Sequence, residues 1–107
     1  MADRSDVYRL LDAERKHQDT KHGTGREIPI IGWIAIMEEE LREAKIAWMK
    51  SRDDGYAALC ELSQATAVGV ACLEEHLAKL QHPHCDAGNG SMVFEPNGSV
   101  RYIVNWK

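Results

Sequence analysis

Cysteine is sparse and odd in number: Cys60, Cys72 and Cys85 stand far apart in a chain of 107 residues. That excludes a self-contained disulfide framework and fits a reducing, cytoplasmic setting. Cys60 and Cys72 fall within a helical pattern, as small apolar residues. A basic excess is also missing. Lys and Arg number 13 against 17 Asp and Glu, for a net charge of −4. No broad attraction to nucleic acid or to an anionic membrane follows. A phosphate-bearing ligand would need a metal ion or local Lys and Arg residues. Long apolar runs are absent too. Residues 28–37 are the most apolar stretch, too short to span a bilayer and ending in glutamates. Residues 1–15 are charged throughout, so no signal peptide is expected. There is no internal repeat, Gly-rich phosphate loop or nucleophile elbow.

What is present is helical periodicity, with room for one small domain. Ser5 can cap a first helix, with Asp6 in its first turn. Val7, Leu10, Leu11 and Glu14 follow at helical spacing, and Gly23 is a natural stop. Pro29 suits the first turn of a second helix that runs to Met49 or Ser51. Asp53-Asp54-Gly55 makes a short connection, with Asp53 or Asp54 capping a third helix over 56–80. So short a link predicts antiparallel neighbours. The third helix carries Ala57, Leu59, Leu62, Ala65, Val68, Gly69, Val70 and Cys72 on nearly every side. A helix apolar all round is expected to be buried all round. One chain has too little to cover it, which predicts a second subunit.

The acidic run Glu38-Glu39-Glu40-Leu41-Arg42-Glu43 lies inside the second helix. Ile30, Ile34, Met37, Leu41, Ala44 and Trp48 form an apolar register, predicted to face the core. At roughly 100° per residue, Glu38 and Glu39 turn away from it. Glu40 and Glu43 fall on its flank, beside Trp33, Ile36 and Ala47. Carboxylates beside a core need a pair or a cation. Two readings are open: a solvated face with pairs such as Glu38 to Arg42, or a site for a hard divalent ion. In the third helix Glu61 and Gln64 sit at the same i, i+3 spacing. They form either a wet seam or the partner to Glu40 and Glu43.

Beyond His82-Pro83-His84-Cys85 the composition turns β-prone. The zinc spacing there matches no common site. Residues 92–94 and 100–106 flank Pro96-Asn97-Gly98, predicting a short C-terminal β-hairpin with Val100, Tyr102, Val104 and Trp106 on one face. The expected organisation is a helical domain over 1–82, with 83–107 as linker and hairpin extension.

Glu39-Glu40-Leu41-Arg42-Glu43 fits Glu-Glu-x-x-Glu, and Glu61-Leu62-Ser63-Gln64 resembles Glu-x-x-Asp. With the stretch 14–23 and Trp33, these resemble the MazG-like all-α nucleoside triphosphate pyrophosphohydrolases, over about residues 12–77. The resemblance implies an antiparallel all-α bundle, assembled as a homodimer or homotetramer. It implies cleavage of a nucleoside triphosphate to the monophosphate and pyrophosphate with Mg2+. Carried over by position, Glu40, Glu43, Glu61 and Gln64 would hold the metal. Glu39 would be the catalytic or supporting acid. Gln18, Lys21, His22, Trp33 and Lys50 would contact the substrate. Gln64 in place of Asp, and Arg42 in place of a small residue, depart from the pattern. They leave open a helical oligomerisation or regulatory module that keeps the fold.

Overall fold

The computed structural model describes residues 2–79, 84–86, 90–94 and 99–104. The chain divides into two units, Met1–Leu73 and Glu74–Lys107. The first is helical wherever it is regular: α1 (Arg4–His22), α2 (Ile30–Lys50) and most of α3 (Tyr56–His76). The expected all-α architecture is what these residues adopt.

Local chemistry sets the ends of each helix. Asp3, rather than Ser5, caps α1: its side chain accepts from the Asp6 amide while the Asp6 carboxylate accepts from the Asp3 amide. Ser5 supports that cap by donating its hydroxyl to Asp3 at 2.8 Å. The Asp6 amide, first among several donors, holds the Asp3 carboxyl below the usual range. Gly23 ends α1 at φ 82°, a conformation that disfavours side chains, and its amide donates to the Asp19 carbonyl. Pro29 is the N-cap of α2, one place before its first turn. Asp53 serves α3 as expected, accepting the Ala57 amide at 3.1 Å. The α3 pattern closes in a short 3₁₀ turn, Leu77–Lys79, rather than running as α-helix to 80.

α2 and α3 run antiparallel. Trp33 meets Val68 and Ala71 in the core, with Ile28, Ile36, Met37 and Cys72 packed on them. The Met37 thioether lies 3.3 Å from where a Cβ on Gly69 would stand, so glycine permits this approach. At the other end, the Trp48 ring lies 2.9 Å from a Cβ built on Gly55, whose φ is 87°.

The face of α2 that turns inward differs from the one predicted. Trp33 is 5% exposed, whereas Ile34, Leu41 and Trp48 of the expected core face are 43%, 42% and 65% exposed. The inward edge is the flank carrying Trp33, Ile36, Met37 and Glu40. α3 likewise buries Ala65, Ala67, Val68 and Ala71 but leaves Leu59, Leu62 and Leu73 exposed, so it is not covered all round within one chain. Two helices of this length cannot enclose stripes this wide, and the small residues of α3 take the close contact.

In the second unit β1 (His84–Asp86), β2 (Gly90–Phe94) and β3 (Val100–Val104) form an antiparallel sheet in the order β1-β2-β3. Met92 pairs with Cys85 on one side and Tyr102 on the other. The turn at Asn97-Gly98, the residues His82 and Pro83, and Trp106 lie outside the described residues. In the same unit the Glu75 carboxylate approaches His76 Nε2 at 2.5 Å and Lys79 Nζ at 3.8 Å.

Candidate metal centre

Oxygens of Glu40, Glu43 and Glu61 lie within 4.8 Å of one another, across α2 and α3. Glu40 and Glu43 are one helical turn apart on α2, and antiparallel packing brings the middle of α3 alongside them. Glu40 and Glu61 are half-buried; Glu43 is exposed. One oxygen of each inner pair member, Glu40 Oε2 and Glu61 Oε2, is buried without a hydrogen-bond partner among the described residues. Buried carboxylate oxygens in that state are costly.

The electrostatics agree with the geometry. Burial raises the Glu40 pKa above the ordinary glutamate range, and Glu43 and Glu61 raise it further. Lys21 opposes the shift, and Glu14 adds to it. α1 therefore brings one cation and one further acid towards the site. Glu14 was not singled out as a site residue from the sequence. Its signal was its place four residues before Gln18 and seven before Lys21, on one helix face.

The other expected site residues are placed as follows. Glu39 stands outside the cluster, exposed, and accepts from Arg42 Nη2 at 2.6 Å and Nε at 3.2 Å. That hydrogen bond first, and the Arg42 charge second, lower its pKa. Arg42 thus pairs one turn back with Glu39, not with Glu38 as the i, i+4 rule suggested. Gln64 is half-buried, and its backbone carbonyl accepts from Gln18 Nε2 at 3.2 Å. Trp33 is a core residue, and Arg26 lies over its ring at 5.4 Å from the centroid, so no open face is left for a nucleobase. His22 is exposed at the end of α1. Lys50 ends α2, roughly 15 Å along the helix from Glu40 at 1.5 Å per residue.

Three carboxylates, two of them (Glu40 and Glu61) with a buried, unpartnered oxygen, fit a hard divalent cation, which takes oxygen ligands. Among the described residues no His or Cys joins this cluster. On the far side of the same unit lies a cleft of about 1000 Å³, lined by Leu41, Arg42, Lys45 and Trp48 of α2 and by Leu59 and Leu62 of α3. α3 is also long and apolar enough to cross a membrane by length and composition, with mean hydropathy 1.3 over its window. Its half-buried Glu61 and Gln64 suit a core helix better. Compared with protein-family models, curated proteins and solved structures, the chain matches none.

Proposed function

We propose that the chain is a Mg2+-dependent nucleotide pyrophosphohydrolase, converting a nucleoside triphosphate to its monophosphate and pyrophosphate. The observation that carries this reading is the convergence of Glu40, Glu43 and Glu61, two of them with buried oxygens that no described donor satisfies. Mg2+, when bound there, neutralises phosphate oxygens and lowers the pKa of an attacking water. Glu40 and Glu61 would hold the cation from the two helices, with the exposed Glu43 as a third carboxylate ligand. Gln64, one turn after Glu61, adds a neutral oxygen where the resembling family has an acid.

The remaining steps fall to groups around this set. Lys21 is suited to a phosphate oxygen, since its charge already reaches Glu40. His22, one residue on, is exposed and free to meet the base or sugar. A carboxylate outside the metal set must accept the proton of the attacking water. Glu39, held by Arg42 and made more acidic, is the weaker base for that task. Glu14, half-buried on α1, is an acid outside the metal set that can take that part.

The assembly that fits is a homodimer, or a homotetramer built from it, in the cytoplasm. Ile34, Leu41 and Trp48 of α2 and Leu59 and Leu62 of α3 form an open apolar face. An exposed face of that kind marks a protein interface, and two copies packed there would make a helix bundle.

A catalytically silent helical module is the second reading. The Arg42 clamp on Glu39 favours it, because it takes one acid of the motif out of play. Product analysis over a panel of nucleotides with Mg2+ separates the two. Pyrophosphate and monophosphate in equal amounts support the enzyme. Inorganic phosphate as the product, or no turnover of any nucleotide, contradicts it.

A further inference from the structure

α1 is held to the rest of the unit in an unusual way for an amphipathic helix. It contains no fully buried residue, and its Val7 and Leu10 are 44% and 53% exposed. Its inward residues are Leu11, Glu14, Arg15, Gln18 and Asp19, so the contacting face is mostly polar. Polar contacts must then do what apolar burial does elsewhere.

Gln18 stands at the centre of that face. Its Nε2 donates to the backbone carbonyl of Gln64 at 3.2 Å. Its Oε1 accepts from Arg15 Nη1 at 3.3 Å. Arg15 is itself tied to Asp19 at 3.0 Å, and its side chain is 13% exposed. Both ends of the Gln18 amide are engaged inside the protein, which leaves neither to read a nucleobase. The residue it grips, Gln64, is one turn from Glu61 on the same edge of α3. Glu14 and Lys21, at i−4 and i+3 from Gln18, lie on the same stripe of α1.

We propose that Gln18 is a positioning residue, tying α1 to α3 so that Glu14 and Lys21 form the third wall of the acidic cluster, and not a contact to the substrate. This rests on the metal reading above. Half-buried Glu14 and, one turn on, Lys21 flank Gln18 on that stripe, so the bond from Gln18 to the Gln64 carbonyl, one turn from Glu61, sets them against the same edge of α3.

The test uses the full chain, Mg2+ alone as probe and a double-mutant cycle. Glu14→Gln removes charge from the wall and weakens Mg2+ binding several-fold in the otherwise wild-type chain. Gln18→Met, which keeps length but loses the donor, abolishes most of that effect, because the wall is no longer held. Hydrogen exchange across Arg4–His22 speeds up in Gln18→Met while the amides around Trp33 and Val68 stay protected. Gln18→Glu, which keeps an acceptor for Arg15 but lacks the donor, repeats the exchange result should the Met variant fold poorly. Unchanged exchange in α1 in both variants overturns the tether. A full effect of Glu14→Gln in the Gln18→Met background, or a change of nucleotide preference with unaltered Mg2+ affinity, overturns the positioning role. A wild-type chain that takes up no Mg2+ overturns the functional reading, and the role of the tether at the site falls with it; the exchange result tells that failure apart from loss of the tether.

Discussion

Glu40 and Glu61 approach each other across two antiparallel helices, each burying an Oε2 that accepts no hydrogen bond from a described residue. Like charges so placed oppose folding unless a cation or a proton intervenes. Glu61→Gln should therefore raise the melting temperature of the metal-free chain by a few degrees, on the order of 1 kcal/mol for a domain this size. It should also remove most of the stabilisation by Mg2+ that wild type shows. Calorimetry with and without Mg2+ checks both; a metal-free variant less stable than wild type would count against the repulsion.

The pH dependence follows from Glu40. Its pKa is raised in the folded chain, so the native state binds its proton more readily than the unfolded state does. The cost of the charge is present in full above the folded pKa. It is relieved as pH falls from there towards the ordinary glutamate range. Metal-free protein should thus become more stable over that window, and Glu40→Gln should flatten the profile. Asp3, Glu39 and Asp53, whose pKa values are lowered, act in the opposite sense only at lower pH. Melting temperature against pH, in chelator, gives the slope and its sign.

The turn between α2 and α3 offers a test of the fold. Gly55 combines φ 87° with the Trp48 ring at 2.9 Å from any added Cβ. Gly55→Ala should cost about 1–3 kcal/mol, from strained backbone and displacement of the ring. Pairing it with Trp48→Ala should recover the steric part alone. Denaturant melts of the variants measure both contributions, and a neutral Gly55→Ala would refute the account of the turn.

Much of this was legible in the sequence. Gly23 and the Asp53-Asp54-Gly55 link placed two helix ends, and i, i+3 spacing put Glu40 and Glu43 on one helix edge, whereas Glu61 joined them only as one of two readings of α3 and through the family resemblance. The rotation of α2 was not legible. Its apolar stripe, from Ile30 to Trp48, outnumbers the residues on the Trp33 edge, and periodicity assigns the core to the wider stripe. Packing followed shape instead. Ala71 and Gly69 of α3 admit Trp33 and Met37, and Ile30, Ile34, Leu41 and Trp48 of the wide stripe are left open. The engagement of Gln18 with the Gln64 carbonyl was equally hidden, since a contact 46 residues apart has no local signature.

Gln64→Asp adds a charge one turn from Glu61, where the resembling family carries an acid. It should tighten Mg2+ binding or raise turnover severalfold. Titration of the variant with Mg2+ checks this, and unchanged affinity with unchanged turnover would place Gln64 outside the coordinating set.

The most direct test of the central claim is pyrophosphate release from nucleoside triphosphates by wild type and Glu61→Gln, each with Mg2+ and with chelator. The account predicts release by wild type with Mg2+ alone, and loss of at least about a hundredfold in the variant, consistent with removal of a metal ligand. Equal release by the variant, or none by wild type from any nucleotide, would contradict it.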